Sequence, residues 1–513
     1  MRTKIGALAV GVTALLGLAV VGCREAEPKK PDEVRMLLER AEAAAGVGDC
    51  DSAIAAYTEV LRLDPNCALA YTYRGAAYFA KGDYSKAIAD CTDAVRLDPN
   101  LAMAHCSRGM VYCGKGEYDK AIAACSEAIR LDPTLAKAYS NRGAAYCGKG
   151  EVNKAIADHN EAIRLAPALA PLYSNRGAAY CEKGDYEKAI ADCSEAIRLN
   201  PRSALAYSNR GYAYYNKSDN DEAITDCTEA IRIDPKLTKA YVNRGMAYHA
   251  KGDFEQAIAD NSEAIRLDPR LAQAYSNRGF TYTIKGDYDN AITDCSEAIR
   301  LDPKLATAYS NRAEAYRGAH DYDSAIVDCT EAIRLNPKLA QAYVNRGAAY
   351  CGMGDCEAAI ADCTKGIQLA PNLALAYNNR GTAYSNNGDY DKAIADCSEA
   401  IRLDPKLADA YFTRGLGYKE KRDHDSAITN FTEAIRLNSK DADAHFARGL
   451  VYEDKGDHDA AIADHTEAIR LSPKHARAYY GRGLAYRSKG EEAKTEADFA
   501  EARKLGFSPE HEK

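Results

Sequence analysis

Apolar positions return along this chain in pairs of helical rhythms. In residues 136–169, "AKAYSNRGAAYCGKGEVNKAIADHNEAIRLAPAL", small and aromatic residues recur every three or four positions on both sides of a Gly-Glu step. That spacing predicts helix, turn, helix. The same order returns every 34 residues, with proline at 65, 99, 133, 167, 201, 235, 269, 303, 337, 371, 405 and 473 and Ser439 in the one empty register. Extended to both ends, the register predicts fourteen units over residues 34–509. Positions are numbered below from the first residue of each unit, which is Ala136 in the stretch quoted.

The most constant positions are small or aromatic. Tyrosine holds the eleventh from Tyr78 to Tyr486, glycine the eighth from Gly75 to Gly483 with only Ala313 differing, and alanine the twentieth from Ala53 to Ala461. Small residues at a crossing let two helices approach, and a tyrosine beside them fills the remaining space. Gly82, Gly184 and Gly286 are placed to end a first helix in the left-handed conformation, and Asp83, Asp185 and Asp287 to cap the second. One such unit buries little, so stability is expected from stacked neighbours.

This pattern resembles the tetratricopeptide repeat over nearly the whole of residues 34–509. The resemblance implies an all-α, right-handed superhelical solenoid of helix-turn-helix repeats whose first helices line a concave groove. The first unit departs with Ala41 at the eighth position. The last departs with Thr495 at the twentieth and a polar end, "EARKLGF", as suits a terminal cap.

Composition fits one unit copied many times, with 35 Tyr, no Trp and 8 Phe in 513 residues. The N-terminus reads differently. Basic Arg2 and Lys4 precede an uncharged stretch and then Val20-Val21-Gly22-Cys23, which resembles a bacterial lipobox; an uncleaved anchor and an ordinary core cysteine are the alternatives. The expected organisation is a signal peptide over 1–22, a lipidated Cys23 and polar tether over 23–33, the solenoid over 34–509, and a tail over 510–513. Such a protein would be lipid-anchored in a bacterial cell envelope. Arg24 after the cysteine leans by analogy towards the periplasmic face of an outer membrane, if the cell is Gram-negative. The remaining chain has about ten more acidic than basic residues, which argues against nucleic-acid binding.

Three ladders run through the units. Arginine holds the seventh position from Arg74 to Arg482, and aspartate the twenty-third in most units, for example Asp192, Asp226, Asp260 and Asp294. An ion-paired structural ladder is one reading and anion binding the other; Arg108 separates them, because its unit carries Ala124 in place of the aspartate. Cysteine holds the twenty-fourth position in eight units, read as small buried hydrophobes. Cys113, Cys147, Cys181 and Cys351, at the twelfth, are expected to be exposed on the inner surface. No CxxC pair supports a zinc site. His424, His445, His458, His465 and His475 mostly replace core residues and are read as satisfied core histidines.

Asparagine holds the sixth position in eight consecutive units: Asn141, Asn175, Asn209, Asn243, Asn277, Asn311, Asn345 and Asn379. A carboxamide offers a donor and an acceptor together and can pair with the backbone of an extended peptide. Units stacked about 8–10 Å apart would meet such a peptide at every third residue. The arrangement is similar to the asparagine ladder in the repeat domain of O-linked N-acetylglucosamine transferase. The alternative is a bond between neighbouring helices. The lysine and asparagine that heat-shock co-chaperones use to clamp a C-terminal carboxylate are absent. No phosphate loop, HExxH or nucleophile elbow occurs, so no enzyme, cofactor, metal or small-molecule substrate is expected. The expectation is a scaffold that binds a protein or extended peptide in its groove, with a pilotin-like envelope-assembly lipoprotein using a broad surface as the alternative.

Overall fold

The computed structural model describes residues 31–507. Cys23, the lipobox and the tail lie outside the described residues. Twenty-eight α-helices follow one another from Pro31–Gly46 to Glu492–Lys504 in fourteen pairs, with no strand among the described residues. The first helix of a pair is called A and the second B; Ala136–Lys149 and Val152–Leu165 are examples. The expected tether reaches residue 33, but helix already begins at Pro31. Proline suits the first helical position, and Asp32 and Glu33 lie where the helix dipole favours negative charge.

The helices fall into two compact units, Met1–Arg270 and Leu271–Lys513, divided between two repeats. Within each, A packs on its own B and on the next pair. Consecutive A helices also touch, whereas consecutive B helices make no comparable contact. The A helices are therefore the crowded, inner side of the stack.

The predicted punctuation is in place. Gly82, Gly184 and Gly286 have φ between 80° and 83°, a region that costs glycine little and other residues more. Asp83, Asp185 and Asp287 accept from the N–H groups of Lys86, Lys188 and Asn290 at 3.1–3.4 Å. The eighth-position glycine is fixed by close approach of A to B. A Cβ on Gly211 would stand 2.6 Å from Cys227 Sγ and 3.1 Å from the Ala223 carbonyl, and the other units are similar.

Across that crossing lies the arginine. In eleven units its Nε donates to Oδ2 of the twenty-third aspartate at 2.6–2.8 Å and its Nη2 to Oδ1 at 2.6–2.9 Å. Nη1 reaches back to a side-chain oxygen at position twenty-five of the preceding unit. Arg142 finds Ser126 at 3.1 Å, Arg176 finds Asn160 at 2.8 Å, and Arg346 finds Thr330 at 3.0 Å. The fourth-position tyrosine lies beneath the same guanidinium, as Tyr139 does under Arg142 at 5.7 Å. The structural-pair reading holds for these units; Arg414 uses Asn430 in place of an aspartate.

All sixteen cysteines of the described residues are free thiols. Those at position twenty-four are fully buried, and burial pushes Cys91, Cys295, Cys363 and Cys397 up to about 12, so they behave as small hydrophobes. The exposure expected at position twelve is not found: Cys113 and Cys181 are buried and Cys147 and Cys351 half-buried, because neighbouring A helices pack over them. The histidine expectation holds in part. His445 meets Asp464 at 3.2 Å, and His475 caps a helix through Ala478 N–H. His465 differs, because it is fully buried with neither ring nitrogen hydrogen-bonded.

Two outcomes test this packing. Asp192→Ala leaves the half-buried Arg176 guanidinium without its partner and is expected to cost about 2–4 kcal/mol, read by denaturant unfolding. Burial lowers His465 to about 4, below the ordinary value of an unfolded histidine. The native state therefore resists a proton that the unfolded chain accepts, and stability falls as pH drops from about 6.5 towards 4. His465→Phe, which copies Phe431 and Phe499 at the same position, should remove roughly 3 kcal/mol of that acid sensitivity, measured by melting at pH 7 and at pH 4.

Candidate functional site

The eight asparagines lie on A helices, along the crowded inner side. Their side chains are buried or half-buried; Asn209, Asn243 and Asn345 keep only 3–4% of their surface. In six of the eight the carboxamide N–H group is donated to the preceding A helix, whereas Asn277 Nδ2 is buried without a partner. Asn243 Nδ2 lies 3.0 Å from Ser208 O and 3.2 Å from its Oγ. Asn209, Asn311 and Asn345 make the same pair of bonds to Ser174, Ser276 and Ser310. Asn175 reaches Ser140 Oγ at 3.2 Å, and Asn141 reaches Cys106 Sγ at 3.4 Å. The acceptor is thus the fifth-position residue of the unit before.

The oxygen end is used differently. Gln273 and Gln341, one turn earlier on the same helices, donate to Asn277 and Asn345 Oδ1 at 2.7 Å. Lys239 donates to Asn209 Oδ1 of the preceding unit at 2.8 Å. Asn379 is half-buried on the same row. The geometry therefore brings the predicted residues into one line and spends the N–H groups of six of them within the wall.

Sequence reasoning passed over the ionisable groups on this face, at positions two, nine, twelve and thirteen. In the first compact unit, burial raises the Glu182 carboxyl and lowers the Lys239 ammonium, and each charge acts on the other from two repeats away. In the second, burial raises the Glu314 carboxyl, opposed by Arg317 and by a hydrogen bond from Asn345. The enclosing wall also raises Asp409, with Asp441 adding to the rise and Arg317 opposing it from three repeats away. Charges that far apart in sequence feel one another because consecutive A helices pack side by side. The signal that could have found these residues is irregularity: they are where a highly regular repeat stops repeating.

The described residues hold no group of three or more histidine, cysteine or acidic side chains suited to a metal, and no helix among them is long and apolar enough to cross a membrane. Comparison with known proteins agrees with the geometry. Tetratricopeptide repeat family models match residues 38–102, 204–237, 272–305, 306–339, 340–373, 374–407 and 412–465, and TPR repeat models match 109–150, 177–218, 245–283 and 452–490. The chain belongs to the tetratricopeptide repeat family, whose members serve as protein–protein interaction scaffolds and are generally not enzymes. No curated protein matches it. Among solved structures, the APC/C hetero-tetramer Cut9–Hcn1 is similar at 18% identity and a TM-score of 0.61, covering 88% of this chain and 96% of that one. That similarity concerns fold alone. MamA is 31% identical over 31% of this chain and 93% of its own, with a TM-score of 0.29.

Two substitutions separate wall from groove. Asn243→Ala removes two hydrogen bonds from a buried site and is expected to cost about 1–2 kcal/mol in denaturant unfolding. Glu314→Gln should do the opposite at high pH. A carboxyl raised above its unfolded value costs stability as pH rises through that range, so the glutamine variant should melt roughly 1–2 °C higher at pH 8 and lose this advantage below about pH 4.

Proposed function

We propose that this protein is a non-enzymatic scaffold of the bacterial envelope, anchored through a lipid on Cys23, and that it holds an extended polypeptide or partner protein against its A-helix face. One observation carries the binding reading. The frame positions of nearly every unit are committed to packing or pairing, while varied charged and aromatic residues gather on the inner row, at Lys239, Tyr212, Glu314 and Arg317. A surface that differs from unit to unit is what selects a partner. Because most of the asparagine N–H groups are used inside the wall, a bound peptide backbone would meet the ladder chiefly through its carboxamide oxygens, with donors such as Lys239 and Gln341 yielding or sharing their place.

Crosslinking in the native cell, followed by capture with charge-reversed variants, tests this. Arg317→Glu and Lys419→Glu on the inner row should reduce recovery of the crosslinked partner at least tenfold. Arg164→Glu, on an exposed stretch of a B helix, should leave it unchanged. Equal loss from both faces would instead favour a broad assembly surface and overturn the groove. Cys23→Ser should move the protein from the membrane fraction to the soluble one; unchanged fractionation refutes the anchor and leaves the groove reading standing.

A further inference from the structure

Of the thirteen seventh-position arginines from Arg74 to Arg482, Arg108 alone has no acid or amide opposite it. Two departures of its unit from the repeat stand beside this side chain. Ala124 stands where the rest carry aspartate or asparagine, and His105 where most carry tyrosine; both are buried. His105 Nε2 donates to the Pro99 carbonyl at 2.9 Å, which leaves Nδ1 as an acceptor 3.3 Å from Arg108 Nη2. Arg108 Nε is buried with no hydrogen-bond partner. A charged donor left unsatisfied in a protein interior is costly, and native structures seldom tolerate one without a reason. The first unit also lacks the acid, with Ala56 in its place, but Arg40 there is exposed to solvent.

Another unit shows the shape of what is missing. In residues 442–475 a histidine again holds the fourth position, and the aspartate is present. Asp464 takes Arg448 Nε at 2.7 Å, Arg448 Nη2 at 2.8 Å and His445 Nδ1 at 3.2 Å. Removing that carboxylate while keeping the arginine and the histidine reproduces the surroundings of Arg108.

We propose that Arg108 and His105 form a recognition site for an external carboxylate, which enters the place that Ala124 leaves and is held by Arg108 Nε and Nη2 as Asp464 is held by Arg448. On binding, Nη2 exchanges the imidazole nitrogen for a carboxylate oxygen, and Nε gains the partner it lacks. Paired, charge-assisted bonds of this kind are among the strongest a side chain makes. The carboxylate belongs either to a small free acid or to an acidic side chain of a bound protein; both present the same two oxygens. The site is independent of the inner-row groove, so each can fail without the other.

Melting of the full chain, followed at constant ionic strength with sodium acetate replacing sodium chloride, tests the site. A parallel series uses the peptide acetyl-Gly-Glu-Gly-amide. The midpoint is expected to rise saturably with one or both ligands. Ala124→Asp supplies the carboxylate internally; it should melt above the natural chain and weaken the apparent affinity at least tenfold. Arg108→Gln should abolish the response. A response to acetate assigns a small free acid, and a response to the peptide alone assigns a protein's side chain. If Ala124→Asp does not fold, Ala124→Asn, copied from Asn430 opposite Arg414, gives the same comparison. The proposal is overturned if neither ligand moves the midpoint, or if the position-124 variant responds as the natural chain does.

Discussion

In eleven of the fourteen units one guanidinium ties helices together. It leaves an A helix, grips the aspartate of its own B helix with two parallel bonds, and touches the B helix before it with a third. The fork geometry requires the A and B backbones to stand close, and the glycine one residue later allows that approach. The two residues act as one joint. A lysine could not make all three bonds in fixed directions. Because the joint also reaches the preceding unit, it sets how one repeat is laid upon the next.

The sequence made the frame easy to read. Period, helix limits, glycine turns and aspartate caps are local, and each is written many times over. The asparagine row was harder, because a ligand contact and a bond between neighbours leave the same periodic trace. Its partner was nevertheless present in the same tetrad: in "YSNRG" the serine of one unit accepts from the asparagine of the next. With the tyrosine under the arginine and the glycine at the crossing, every residue of that stretch has a structural task. The groove charges left no such trace. Lys239, Glu182, Glu314 and Arg317 stand at positions whose residue type changes from unit to unit, and only the stacking of the A helices brings repeats two and three apart within electrical range.

His465 and Arg108 mark what happens when one member of a repeated set is changed. In one case a core position receives a polar ring with no partner, and in the other a charged side chain loses the partner it has elsewhere. Neighbouring units hold both in place, since each is clamped by joints on either side. A repeat protein can carry such local costs in a way that a single small core cannot.

The sameness of the units has a cost of its own. A ligand that touched only the recurring residues would find an equivalent seat 34 residues further along, and again beyond that, so it would be bound without being located. Position along the stack is information, and a perfect lattice contains none. Ala124, Glu314, Arg317 and Lys239 break the translational symmetry, and they are what would let this surface hold a partner in a single register.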